Sequence, residues 1–240
     1  MSMPITEADL MNKEKARKII RDVYREGRQT LSEYESKQVL AAYDIPVTRE
    51  ILVTHQSDLE KAVQEIGFPL VMKGCTPEIA HKTEKGLIHM DIRTVREAKK
   101  VCREMMSKIT GLQGGVLIQE MIQGRRELVM GMTRDAQFGP CVMFGLGGIF
   151  TEILNDVAFS RAPLSKREAF DMMQDIRGHK ILEDVRGMAA ANRRILADML
   201  IKLSLMGIDI SEIQEIDLNP VIICDSRPVV VDALLVLKNG

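Results

Sequence analysis

Residues 139–158 read Gly139-Pro140-Cys141-Val142-Met143-Phe144-Gly145-Leu146-Gly147-Gly148-Ile149-Phe150-Thr151-Glu152-Ile153-Leu154-Asn155-Asp156-Val157-Ala158. The apolar run Cys141–Phe144 has the length of a buried strand. Three glycines then fall within four positions, and a second apolar run carries Glu152 and Asp156. Without Cβ atoms the backbone can turn sharply or approach another group closely, and a buried strand fixes the near end of that turn. The stretch therefore predicts a strand feeding a glycine turn, which is either a ligand seat or an ordinary tight turn. Two phosphate-binding patterns are excluded. Phe150 stands where a dinucleotide fingerprint needs its third glycine, and no Gly-Lys-Ser/Thr occurs in the chain.

Strand and helix signals alternate on the N-terminal side. Glu7–Arg25, ended by Gly27, predicts a polar helix with a modest apolar stripe from Leu10, Ala16, Ile19, Ile20 and Val23. Ser32 stands three residues before Glu35, the capping-box spacing, and opens a helix carrying Val39, Leu40 and Tyr43. Ile51–Val53 predicts a strand, and Ser57 the cap of a helix that runs through Ile66 to Gly67. Phe68–Lys73 and Leu87–Met90 predict strands, residues 95–109 a helix, and Val116–Ile122 and Glu127–Met132 further strands, with Arg134 and Asp135 at a turn. Short connections between alternating elements point to an α/β or α+β architecture.

On the C-terminal side, Ser165 and Glu168 repeat the capping-box spacing, His179–Gly187 predicts a charged loop, and residues 188–206 form an amphipathic helix. Ile213–Asn219 alternates, which sets Glu215, Asp217 and Asn219 on one face. Val221–Cys224 turns at Asp225-Ser226-Arg227-Pro228 into Val229–Ala233, a hairpin that brings Asp232 towards Asn219. Three or four hard oxygen ligands on adjacent strands suit Mg²⁺; the competing reading is the solvated face of an edge hairpin.

A chain of 240 residues with 45% hydrophobic residues buries a substantial core in one domain or two closely packed ones. With 33 Lys+Arg against 34 Asp+Glu, the charge balance asks for neither nucleic acid nor an anionic membrane as partner. Cys75, Cys102, Cys141 and Cys224 are far apart with no C-x-x-C spacing, and no secretory leader or long apolar span is evident. This fits a reducing cytoplasm better than a disulfide framework or a zinc site. The 16 methionines, in a chain without Trp, read as adaptable core filling.

Three further places carry chemistry. Lys73 ends the apolar run Leu70-Val71-Met72, so its ammonium either snorkels from the core edge or meets a fixed anion such as a phosphate. His81 lies in the polar connection Thr76–Gly86, where an imidazole serves as base, metal ligand or phosphoryl acceptor, or is simply solvated. Glu120, Met121 and Ile122 offer edge hydrogen bonds beside apolar faces, as a flat heterocycle requires, or are an ordinary strand exit.

In combination, Glu33-Tyr34-Glu35-Ser36-Lys37, Gly67–Lys73, His81-Lys82-Thr83-Glu84, Phe138–Phe159 and Asp217-Leu218-Asn219-Pro220 stand in one order. That order resembles the ATP-grasp domain of nucleoside-diphosphate-forming acyl-CoA synthetases, related to the beta subunit of succinyl-CoA synthetase, from about Leu31 to Leu237. The resemblance implies an α+β, ATP-grasp fold with two lobes clasping a nucleotide: an N-terminal helical extension over 1–30, an N-terminal lobe over 31–125 and a C-terminal lobe over 126–240. It implies that Lys73 contacts phosphate, that Glu120, Met121 and Ile122 receive adenine, and that Glu127 lies near the ribose. Asn219 and Asp232 are implied as Mg²⁺ ligands with Asp217 or Glu215 in support. His81 is implied as a phosphoryl carrier, with Glu152 orienting it or a neighbouring basic group. Lys85-Gly86-Leu87 departs from the glycine pair common after the histidine motif in the family. The implied function is that of the beta subunit of an ADP-forming acetyl-CoA or acyl-CoA synthetase, using ATP/ADP and Mg²⁺, complete only with a CoA-binding alpha subunit in an alpha2beta2 assembly. The alternatives are a succinyl-CoA synthetase beta subunit and a non-catalytic nucleotide-binding regulatory subunit. The glycine turn is then expected at the mouth between the lobes, where phosphoryl transfer would occur.

Overall fold

A computed structural model describes residues 7–77, 86–148 and 155–238. The chain divides into two compact units: Ser32–Tyr34 with Thr48–Ile122, and Met1–Leu31 with Glu35–Val47 and Gln123–Gly240. These units cut across consecutive segments 1–30, 31–125 and 126–240. Among the described residues no helix is long and apolar enough to cross a membrane.

The smaller unit is a four-stranded antiparallel sheet in the order β1-β4-β2-β3, from β1 (Glu50–Val53), β2 (Leu70–Cys75), β3 (Ile88–Ile92) and β4 (Gly115–Glu120). Writing the helices in chain order, α1 is Glu7–Arg25 and α2 is Glu33–Ala41; α3 (Leu59–Ile66) and α4 (Val95–Lys108) cover one face of this sheet. In α3 the buried residues are Leu59, Ala62, Val63 and Ile66, and in α4 they are Ala98, Val101, Cys102 and Met105. That i, i+3, i+4, i+7 spacing makes one apolar stripe per helix. Thr94 caps α4 by accepting from the Glu97 amide at 3.2 Å. Ser57 does not cap α3. It lies inside the 3₁₀ turn Gln56–Asp58, and Asp58 is the N-cap residue, without a side-chain cap bond. Gly67 ends α3 at φ +84°, where a Cβ would be strained.

The larger unit is a six-stranded antiparallel sheet, order β10-β8-β5-β6-β7 with β9 beside β8. Its strands are β5 (Arg126–Asp135), β6 (Gly139–Leu146), β7 (Val157–Arg161), β8 (Ile213–Cys224), β9 (Arg227–Val230) and β10 (Ala233–Leu237). Helices α5 (Lys166–Asp175) and α6 (Arg193–Asp209) share its core with α1 and α2, so the first helix packs with the last strands rather than standing apart. The predicted capping box of α5 is formed: Ser165 accepts from the Glu168 amide and the Glu168 carboxylate accepts from the Ser165 amide. Helix α6 starts at Arg193, later than its apolar pattern suggests. Asn192 caps it by accepting from the Arg194 and Ile195 amides, while Met188 is held in a backbone pair with Val185. The N-terminal segment is tied to β10, for the Leu31 amide donates to the Leu235 carbonyl and the Leu237 amide to the Gln29 carbonyl.

Two arginines of β5 clamp this unit. Arg134, which the sequence places in a turn, lies within the strand and donates to the carbonyls of Gly207, Ile210 and Ile213 around the end of α6. Arg126, buried, donates to the carbonyls of Ile181, Glu183 and Ala189. The turn residue is Asp135, whose carboxylate accepts from the amides of Gln137 and Phe138.

Candidate functional site

The face of the smaller sheet away from α3 and α4 follows from strand parity. Leu70 and Met72 point into the helical core, so Val71 and Lys73 point the other way. In register, Lys73 stands between Leu117 and Ile88, Val71 opposite Gln119, and Gln119 opposite Glu50. Ser32–Tyr34 belongs to this unit and supplies the partner of the lysine: Lys73 Nζ lies 2.6 Å from Glu33 Oε1, with side chains only 6% and 1% exposed. The Tyr34 hydroxyl is pushed above its ordinary pKa by burial and then by Glu50 and Cys75, which places it against the same face. Lys73 is thus an ammonium fixed in a buried pair rather than a snorkelling surface lysine. Glu33 opens the motif Glu33-Tyr34-Glu35-Ser36-Lys37, but nothing local in that motif marks it as the partner of Lys73, since an acid in a helix's first turn reads as capping chemistry.

Strand β4 ends at Glu120, with Met121 and Ile122 half-buried just beyond it. The Glu120 carboxylate is engaged by Arg49, accepting from its backbone amide at 2.8 Å and its Nε at 2.9 Å. The Met121 amide donates to the Pro69 carbonyl. The exit of β4 is therefore held rigid from both flanks.

The larger sheet carries the second set on the face away from its helical core. Leu128, Met130 and Met132 point into that core, leaving Glu127, Val129 and Gly131 on the opposite face. On β8, Asp217 stands between Gly131 and Leu234, and Glu215 between Thr133 and Val236. Alternation alone would put Ile213 on the face of Glu215. A register shift at Val236/Leu237 turns Ile213 inward instead, so that Ile213, Ile216 and Leu218 are all buried. Asn219 and Asp232 each lie one position beyond the Leu218–Ala233 pair, and the Val231 amide bonds to the Pro220 carbonyl there. Asp232 Oδ1 accepts from the Ala233 amide at 2.9 Å. The Asp217 carboxyl is pushed up to about 6, first by burial and then by Glu215 and Asp232. Glu215, Asp217 and Asn219 thus share one face of β8, as their alternation predicts.

The glycine turn meets the start of β5. Gly145 and Leu146 are still strand, and the turn begins at Gly147. The Gly147 amide donates to the Glu127 carbonyl at 2.8 Å, and a Cβ on Gly147 would sit 2.8 Å from both Glu127 C and Leu128 N. Gly148 has φ +63°, and a Cβ there would lie 2.7 Å from Glu127 Oε2. Gly147 is required because the β5 backbone occupies the space of a side chain, and Gly148 because its φ lies in the left-handed region. Asp156, buried, accepts from the amides of Arg177 at 2.8 Å and Gly178 at 2.7 Å, tying the far side of the turn to the segment before Leu182. His81 and Glu152 lie outside the described residues.

Among the described residues no group of three or more His, Cys, Asp or Glu side chains forms a cation cage. The donor set Asn219, Asp232 and Asp217 nevertheless fits Mg²⁺, which takes one or two protein carboxylates and completes its shell with water and phosphate oxygens.

Residues 22–237 match the model of the ATP-grasp domain family. The chain is 39% identical over 228 residues to the beta subunit of acetate–CoA ligase [ADP-forming] I of Pyrococcus furiosus, covering 93% of this chain and 98% of the relative. It is 40% identical over 235 residues to the beta subunit of isoenzyme II of that organism, covering 95% and 100%. Among solved structures it superposes with a TM-score of 0.84 and 37% identity on acetyl-coenzyme A synthetase 1 of Ca. Korarchaeum cryptofilum, covering 93% of this chain and all of that one. That protein was captured with coenzyme A and Mg-AMPPCP, its phosphohistidine segment pointing towards the nucleotide binding site.

Proposed function

Because the chain belongs to the ATP-grasp family and, within it, to the beta subunits of ADP-forming acetate–CoA ligases, we propose that its acidic and lysine-bearing faces bind a magnesium nucleotide for reversible phosphoryl transfer. The chain is the nucleotide-binding subunit of an acyl-CoA synthetase that interconverts acyl-CoA, ADP and phosphate with carboxylic acid, CoA and ATP. It works with a CoA-binding alpha subunit, in an alpha2beta2 assembly. The observation that carries this reading is the face on which β8 sets Glu215, Asp217 and Asn219 together and β8–β10 pairing brings Asp232 beside Asn219.

In this reading the smaller unit is the N-terminal lobe, and the larger unit is the C-terminal lobe with the N-terminal helix packed into it. Lys73, oriented by Glu33, contacts the nucleotide phosphates. The backbone at Glu120–Ile122 and the apolar Met121 and Ile122 receive adenine, since the Glu120 carboxylate is already committed to Arg49. Glu127 stands near the ribose. Asn219 and Asp232, supported by Asp217, would hold Mg²⁺, which when bound neutralises phosphate oxygens. His81 takes the phosphoryl group: its neutral imidazole nitrogen forms a bond to the γ-phosphorus of ATP as the bond to the β–γ bridging oxygen breaks, releasing ADP. Glu152 orients that imidazole or a neighbouring basic group. Four free cysteines, two of them buried, support a reducing, cytoplasmic setting.

The test is a coupled assay of the chain reconstituted with its alpha subunit, following ATP formation from several short and aromatic acyl-CoAs with ADP and phosphate. Activity is expected for the wild type and is expected to vanish in His81→Ala. Full turnover by His81→Ala would remove the phosphohistidine route from the proposal.

A further inference from the structure

The segment from Gly178 to Asn192 is built to hold one exposed arginine. Within it Val185 and Met188 form a two-residue hairpin, the Val185 amide donating to the Met188 carbonyl at 3.1 Å and the reverse bond measuring 2.9 Å. Both tip residues are left-handed, Arg186 at φ +50° and Gly187 at φ +76°. Glycine adopts that conformation freely, whereas a Cβ in the left-handed region is strained, and the side chains that tolerate it best are Asn and Asp. Arg186 is neither, yet it occupies the first tip position and its side chain is exposed.

The rest of the segment keeps that tip in place. The guanidinium of Arg126 donates to the carbonyls of Ile181, Glu183 and Ala189, bracing the chain on both sides of the hairpin, and the Ala191 amide closes onto the Leu182 carbonyl at 2.9 Å. Burying an arginine on carbonyls alone is unfavourable unless its bonds are well made, so this brace is a substantial structural commitment. One root of the segment, Gly178, lies at the glycine turn, while the other, Asn192, donates its amide to the Ser226 carbonyl between β8 and β9. Arg126 immediately precedes Glu127, and Asp156 fixes the amides of Arg177 and Gly178 while its carbonyl accepts from the Leu146 amide. A locally unfavourable conformation persists where the surrounding structure over-determines it, and such positions cluster at ligand clamps.

We propose that Arg186 is an oxyanion-binding residue, held by the Arg126 brace on a segment that leaves the glycine turn at Gly178, to pair with a phosphate or carboxylate during the ligase cycle. A guanidinium offers a planar fork of donors matched to two oxygens of such a group. The anion is either a phosphate of the nucleotide on this chain or a phosphoryl or carboxylate group carried by the alpha subunit. The inference rests on the ligase reading for its cycle, but binding measurements test it without turnover.

Three variants, Arg186→Gly, Arg186→Lys and Arg186→Ala, are compared with wild type by thermal melting, by titration of the isolated chain with Mg-ADP, and by association with the alpha subunit. Arg186→Gly removes both strain and guanidinium, so its melting temperature is expected to equal or exceed wild type by up to about 2–4 °C. A tenfold or greater loss in one binding arm is expected together with that unreduced stability. Loss in the Mg-ADP arm assigns the nucleotide phosphate, and loss only in the association arm assigns a group of the alpha subunit. Arg186→Lys is expected to recover part of the loss and Arg186→Ala none. If Arg186→Gly keeps wild-type affinity in both arms, the residue is an ordinary turn residue and the proposal fails. Wild-type binding without acyl-CoA-dependent ATP formation would count instead against the ligase reading.

Discussion

Replacing Asp217 by Asn should make the metal-free protein more stable, although the residue lies in the proposed nucleotide site. An ordinary aspartate ionises near 3.8 and Asp217 near 6, because burial, Glu215 and Asp232 all disfavour its charge. Each tenfold change in proton affinity is about 1.4 kcal/mol, so holding the ionised carboxylate in the folded state costs at most about 3 kcal/mol. Solvent screening at a half-buried side chain reduces this to about 1–2 kcal/mol. The folded chain binds this proton more tightly than the unfolded chain, so its contribution to stability is lost as pH rises from about 3.8 to about 6 and stays lost above. In chelator at pH 7.5, Asp217→Asn should therefore gain about 1–2 kcal/mol, or about 2–8 °C in melting temperature for a chain of this size. The advantage should shrink towards zero near pH 4, and the difference between variant and wild type cancels the titration of every other group. Saturating Mg-ADP should reverse the order, because the wild type alone keeps a full negative charge for the cation. Scanning calorimetry across this pH range is the assay. A variant no more stable than wild type at pH 7.5, or an advantage that does not depend on pH, would refute the account of this face.

Lys73→Met strips the buried Glu33 carboxylate of its 2.6 Å partner and should lower stability by about 3–5 kcal/mol in urea unfolding, with Mg-ADP binding lost as well. Asp156→Ala removes the acceptor of two backbone amides at 2.7 and 2.8 Å and should cost about 2–4 kcal/mol, seen as faster amide exchange at Arg177 and Gly178. Gly147→Ala forces a Cβ to within 2.8 Å of the β5 backbone; a melting temperature depressed by several degrees is expected, and an unchanged one would show that the turn can move away. Ser165→Ala opens the capping box of α5 and should cost about 1 kcal/mol in the same melts, without effect on nucleotide affinity.

Much of the architecture is legible from local signals, and the losses are instructive. Apolar periodicity and capping residues locate α1 and α5 closely, because their boundaries are set within the helix and its first turn. Helix α6 is misplaced at its start because Met188 fits the apolar stripe, while the Asn192 cap and the Val185–Met188 pair decide where the chain becomes helical. Ser57 misleads for the same reason, as a good capping residue taken into a 3₁₀ turn. The acidic face is legible because a strand repeats every two residues, although the shift that turns Ile213 inward has no local signature. The partners Glu33, Arg126 and Arg134 were missed because each acts on residues distant in sequence. The available signal was a charged residue beside an apolar strand or at a helix start, which is too common to single one out.

The bonds between residues 29–31 and β10 bear on the order in which the chain can be finished during synthesis. Helix α1 precedes the other elements, but the strand that anchors its following segment, Ala233–Leu237, is translated after all of them. The smaller unit, apart from Ser32–Tyr34, is contiguous from Thr48 to Ile122 and can assemble while the remainder is still being translated. The larger unit has to wait, its first apolar stripe unburied until the final strand arrives. Such distant closure is slow, so a nascent chain stalled before residue 233 should expose Ala16, Ile20 and Val23 to chaperones, and deletion of Ala233–Leu237 should release α1.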